Sequence, residues 1–380
     1  MYEYLTGLIR VLEKRLPDKN DTDRMIQAKT ATDAFAVLND TDYADNLLNK
    51  KPEDYNKVLA DDTAQLKKLL DGAIANSPLF DFLFVDFDFL NIKIALKQKL
   101  LGAKGGMAGL PAGLAGLSDH VAVSALNFGL VPQKELNKFI DLKFQFLEHK
   151  DQKAKASEII LATGKIETAL FHHSVKIKQA DINPLLKISI IKIVRKIKKI
   201  QKITPSKIDE LCDQELLKLK QRMAKQIKNS FISDFLKMQI DFLNTKILLR
   251  LIREKKGDAF KLKKSHLIAG GRISPEQLEH LYKHDEPVFY ANFKELLSWY
   301  PITNAIDEFQ AKKNLWQLET ELDRRVFGFT RTAAKSASYG PEVIVSYFLN
   351  KMIGARNVRT ILSGKLNGVG MEEIRGRVIL

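Results

Sequence analysis

Asp88 and Asn91 stand three residues apart inside an otherwise apolar run, DFDFLNIKIALK (Asp86–Lys97). Asp241 and Asn244 repeat the pair in IDFLNTKILLR (Ile240–Arg250), and both copies read Asp-Phe-Leu-Asn-x-Lys-x-x-Leu. A carboxylate with an amide one helical turn away is the minimum for a general acid or base with a hydrogen-bonding helper. It is equally what a buried polar joint needs, with both groups committed to neighbouring backbone. A weaker third copy, IGARNVRTIL (Ile353–Leu362), separates the two readings. Asn357 keeps the amide, Arg359 takes the place of Lys93 and Lys246, and Gly354 stands where the aspartates were. Chemistry that needs a carboxylate would not survive that change, whereas a packing joint would. The spacing therefore assigns Asp88, Asn91, Lys93, Asp241, Asn244, Lys246, Asn357 and Arg359 to structural joints, and no catalytic residue is expected.

The other reactive side chains offer less. His280 and His284 are four apart, a spacing that can hold a metal on one helix face, but nothing nearby completes a ligand set. Cys212 is the only cysteine, which excludes an intramolecular disulfide and a multi-thiolate zinc site. The glycine-rich stretch Gly102–Asp119 lacks the Gly-Lys-Ser/Thr of a phosphate-binding loop. No cofactor and no metal are expected.

The elements that must position these residues are helices. Leu, Ile, Lys, Ala and Glu dominate, and no run sustains period-two alternation, so the fold class is all-α. On a helix, Asp86, Lys93 and Lys97 share one face, expected to point outward, while Asp88 and Asn91 lie on the apolar side. The phrases GLVPQKEL (Gly129–Leu136), GRISPEQL (Gly271–Leu278) and NGVGMEEI (Asn367–Ile374) each follow a core helix and resemble helix-entry signals. They divide the chain into three similar helical units, 1–128, 129–270 and 271–380, with the end of the chain expected to close back onto its beginning. A basic helix is expected over Lys187–Lys202, with Ile190, Val194, Ile197 and Ile200 on its packed stripe.

With 380 residues, 45% of them hydrophobic, the chain can bury a sizeable core. No run is long and apolar enough for a membrane span, and the N-terminus has no signal-peptide core. A net charge of +15 predicts an anionic partner: a lipid surface, an acidic protein face or nucleic acid. Charge alone leaves a basic helical nucleic-acid-binding adaptor as the competing function, although no recognised nucleic-acid signature supports it.

Taken together, the repeated joints and the C-terminal islands Gly340-Pro341-Glu342, Asn357-x-Arg359-x-x-Leu362, Gly364-Lys365-Leu366 and Glu372-Glu373-Ile374-Arg375 resemble the C subunit of the A/V-type rotary ATPases, the family of the eukaryotic V-type d subunit. LNDTDYAD (Leu38–Asp45) also looks like that family's first unit. The resemblance implies a funnel-like, pseudo-threefold arrangement of three helical units. It implies a non-catalytic rotor spacer between the membrane proteolipid ring and the D and F subunits of the central shaft, cytoplasmic and peripheral on the membrane. Lys255, Lys256, Lys263 and Lys264, in the basic loop after the second core helix, are the candidates for an interface on the membrane side.

Overall fold

The computed structural model describes residues 2–75, 77–101, 128–148, 183–201, 203–254, 262 and 266–379. These residues form helices and connecting turns, with no strand among them, so the all-α expectation holds. The helices are α1 (Tyr2–Leu12), α2 (Lys19–Gln27), α3 (Ala31–Ala36), α4 (Tyr55–Ile74), α5 (Pro78–Leu101), α6 (Gln133–Glu148), α7 (Pro184–Ile197) and α8 (Pro205–Ile227). They continue as α9 (Ser230–Glu254), α10 (Pro275–Leu281), α11 (Glu286–Leu296), α12 (Thr303–Lys312), α13 (Leu315–Ser336), α14 (Pro341–Leu366) and α15 (Met371–Arg377).

Local sequence sets many of the starts. Thr30 and Ser274 cap α3 and α10 in reciprocal capping boxes with Asp33 and Gln277. Pro occupies the first turn of α7, α10, α11 and α14, where its missing N–H costs no intrahelical bond. After α3 the chain continues through short 3₁₀ turns at Val37–Asp40 and Ala44–Asn46. The basic helix expected over Lys187–Lys202 is shorter at its C-terminal end. It ends at Ile197, and Ile200 follows in a turn.

The chain forms two compact units. The larger contains residues 2–83 and 220–379. Within it α14 packs against α1, α3, α4, α13 and α15, and α9 packs against α13. One apolar cluster surrounds α9, with Phe242, Leu248 and Leu249 meeting Phe289, Phe293, Ile306, Phe309 and Leu322. A second joins opposite ends of the sequence: Met25, Ile26, Leu38 and Val58 meet Ile361, Leu362, Ile374 and Val378. Each fully buried side chain of this kind contributes about 1.5–3 kcal/mol. Lys365 donates to the carbonyls of Ile26 and Ala28, and Arg375 pairs with Asp23 at 2.9 Å. The C-terminal helices therefore close onto the N-terminal ones, as expected.

The smaller unit holds the described parts of 84–219. There α6 packs against α7, whose Ile190, Ile193, Val194 and Ile197 are buried. Two basic side chains at the end of α7 are occupied locally. Lys196 pairs with Glu215 at 2.7 Å, and Lys198, just beyond the helix, donates to the carbonyl of Phe144 at 2.8 Å.

Candidate functional site

The repeated phrases build buried joints, most completely on α9. The amide of Asn244 donates to the carbonyl of Ile268 at 2.8 Å and accepts from the N–H of the same residue at 2.9 Å. One side chain thus satisfies both polar groups of one buried residue, as an adjacent strand would. One turn earlier, Asp241 accepts from the N–H groups of Arg272 at 2.9 Å and Ile273 at 3.2 Å, and from the Tyr300 hydroxyl at 2.6 Å. Burial pushes the Asp241 carboxyl up, while these donors pull it back down. Burial and the neighbouring carboxylate push the Tyr300 hydroxyl up. Gly271 is required by this approach, because a Cβ there would sit 2.0 Å from Asp241 Oδ1.

On α5 the arrangement recurs. Asp88 and Asn91 are fully buried, and Asp88 accepts from the N–H of Val131 at 3.1 Å. A Cβ on Gly129 would lie 2.3 Å from Asp88 Oδ1. On α14, Asn357 donates to the carbonyl of Ile379 at 2.6 Å and accepts from its N–H at 3.0 Å. Ile379 is therefore the counterpart of Ile268. This corrects the register of the third entry phrase: Asn367–Ile374 precedes the segment that the asparagine holds, whereas Gly271–Leu278 follows it.

A second correction concerns the lysines. Lys93 and Lys97 do not face outward. They are 4% and 2% exposed, and they pair with Asp213 at 2.6 Å and Asp209 at 2.8 Å on α8. Their charges tolerate burial because two carboxylates spaced four apart meet two ammonium groups spaced four apart. On α9, Lys246 and Arg250 meet Asp323 and Glu319 of α13, each at 3.2 Å, with the same spacing and the same antiparallel order. Arg359 on α14 instead reaches the amide oxygen of Asn56 at 3.4 Å. Sequence reasoning missed these acids and Tyr300. The available signal was the matching spacing of four in Asp209/Asp213 and Glu319/Asp323.

One further buried charge cluster lies in the larger unit. Lys351 of α14 pairs with Asp42 at 2.6 Å and with Asp62 of α4, and its ammonium stands 5.1 Å from the centre of the Tyr43 ring. Two carboxylates share one lysine, and burial pushes Asp62 up to about 6 against the pull of Lys351.

The remaining candidates carry little chemistry. The rings of His280 and His284 touch, 5.2 Å between centres, yet no group of three metal-ligating side chains occurs among the described residues. Cys212 is fully buried, and burial pushes its thiol up, which makes it a poor nucleophile. Lys255, Lys256, Lys263, Lys264 and the stretch Gly102–Asp119 lie outside the described residues.

In the joints, the carboxylates and amides are bonded to backbone groups, and in the second joint also to the Tyr300 hydroxyl. That is the design of a helical scaffold protein, whose polar groups fix register. Residues 5–127 and 161–377 match the family described as ATP synthase (C/AC39) subunit, and the chain belongs to that family. The resemblance seen in the sequence is thereby borne out, and the chain is one component of a V/A-type ATPase complex. No curated protein matches the chain. No helix of the described residues is long and apolar enough to cross a membrane.

Proposed function

We propose that this chain is the non-catalytic rotor spacer of a V/A-type rotary ATPase. It links the central shaft, made of the D and F subunits, to the membrane proteolipid ring, and so couples ATP turnover in the head to ion transport. The observation that carries this reading is the family match over most of the chain. The joints support it: torque must pass through stiff, densely packed helices, and side-chain-to-backbone locks hold connecting segments in register against the core helices. Their recurrence supports three helical units with boundaries near 128 and 270, set in a funnel-like pseudo-threefold arrangement. The net charge of +15 favours an approach to the anionic membrane surface, with Lys255, Lys256, Lys263 and Lys264 on that side. The test is capture by the purified, tagged chain of detergent-solubilised proteolipid ring and of the D–F shaft. Retention of both supports the spacer, and retention of neither rejects it.

A further inference from the structure

Lys143 of α6 is a buried cation without a counter-charge. It is 7% exposed, and its ammonium rests on the face of Phe139, with Nζ 4.9 Å from the ring centre. A ring face offsets only part of the cost of taking an ammonium out of water. The ammonium has no hydrogen bond and no ion pair with a described residue. Two acids of α6 are engaged elsewhere: Glu135 pairs with Lys138 at 3.0 Å, and Asp141 with Lys99 at 2.8 Å. The sequence of α7, PLLKISIIKIVRKI, contains no acid.

The helix packed on α6 adds positive charge at this point. Lys198 donates to the carbonyl of Phe144, the neighbour of Lys143, at 2.8 Å, and its ammonium stands 5.6 Å from the centre of the Phe144 ring. That contact fixes which flank of α7 faces this part of α6. At about 100° per residue, Lys187, Ile191, Arg195 and Lys198 share one flank, and Lys196 turns to the opposite one, where it meets Glu215. Lys187 and Arg195 are half-buried and make no ion pair among the described residues. Burial pushes the Lys143 ammonium down in pKa, and Lys187 and Arg195 push it further. Three cations thus meet, and no acid among the described residues pairs with any of them.

We propose that Lys143, Lys187 and Arg195 form a binding site for a phosphate monoester, the group carried by phosphatidic acid headgroups and by soluble phosphate esters. Such a group brings about 1.5 to 2 negative charges and three outer oxygens, one for each cation. The guanidinium of Arg195 can take two of them at once. A carboxylate brings one charge and two oxygens. An acidic protein face spreads its carboxylates over a broad surface, which suits exposed lysines better than one as buried as Lys143. The bound anion offsets the desolvation of Lys143 and the mutual repulsion of the three cations. The site is independent of the rotor-spacer reading, so either can fail alone.

The purified full chain is titrated at physiological salt with two probes, glycerol 3-phosphate in solution and phosphatidylcholine vesicles containing about 20% phosphatidic acid. Saturable binding of at least one is expected, and the arm that binds tells a soluble ester from a lipid headgroup. Lys187→Gln/Arg195→Gln should weaken it about tenfold or more. Lys283→Gln/Lys335→Gln, two exposed lysines of the larger unit with the same change in net charge, should weaken it no more than about threefold. Lys143→Met should weaken binding as the first pair does, while raising the urea midpoint of the unliganded chain, because an unpaired buried charge is gone. Circular dichroism checks folding, and the Lys187/Arg195 pair decides the matter if Lys143→Met does not fold. Saturable binding of neither probe, or equal weakening by the two pairs, would overturn the proposal. Tighter binding of an oligoglutamate peptide than of either probe would also overturn it, in favour of an acidic protein partner.

Discussion

Asn357 binds Ile379 through both of that residue's backbone polar groups, at 2.6 and 3.0 Å, just as Asn244 binds Ile268. An amide that satisfies a donor and an acceptor at once cannot be replaced by an apolar side chain without orphaning both. Asn244→Leu and Asn357→Leu should each cost about 1–3 kcal/mol. Denaturant melts of the purified variants measure this. A change under about 0.5 kcal/mol, typical of surface substitutions, would show that these bonds do not hold the joint.

The glycines at the joints should respond in opposite directions. Gly271→Ala drives a Cβ to 2.0 Å from Asp241 Oδ1 and must break the carboxylate's hold on Arg272 and Ile273, a loss of about 1–3 kcal/mol. Gly354→Ala lies inside α14 with nothing nearer than 3.5 Å, so it should gain up to about 1 kcal/mol from helix propensity. Thermal melts of the two variants compare them directly. The reverse pair of signs would contradict the joint geometry.

Asp62 makes stability depend on pH. Its carboxyl is raised from 3.8 to about 6, so the folded chain binds this proton more tightly than the unfolded chain does. The contribution is fully present below pH 3.8 and is lost as pH rises through about 6, a change on the order of 3 kcal/mol. Asp62→Asn keeps the Lys351–Asp42 pair and removes the titration. Relative to the parent it should therefore gain stability steadily from about pH 4 to pH 6.5. A difference between the two proteins that does not vary with pH would refute the assignment.

The buried ladder on α5 should behave as a pair. Lys97→Met alone leaves Asp209 without its ammonium partner and should cost about 3 kcal/mol or more, whereas Lys97→Met/Asp209→Leu should recover most of that loss. Urea midpoints of the parent and both variants give the comparison, and full additivity would show that the pair is not coupled.

Much of this is legible in the sequence, for physical reasons. Asn91, Asn244 and Asn357 stand out because an amide recurring on an apolar helix face is costly unless it is bonded. The all-helical class follows from periodicity and composition. Lys93 and Lys97 read as solvent-facing because an ammonium is taken out of water only against acids elsewhere in the chain, here Asp213 and Asp209. The third entry phrase is misleading because Gly-Val-Gly-Met-Glu-Glu carries ordinary helix-start signals. Which backbone Asn357 holds is a tertiary fact that turn chemistry does not encode. The Lys351 cluster is hidden for the same reason: its acids lie near the N-terminus and its lysine near the C-terminus.

The most direct test of the spacer reading is ATP-driven ion pumping by the motor reconstituted in vesicles with and without this chain. Without it, ATP hydrolysis by the soluble head should persist while pumping disappears, and adding the chain back should restore pumping. Undiminished pumping in its absence would contradict the account.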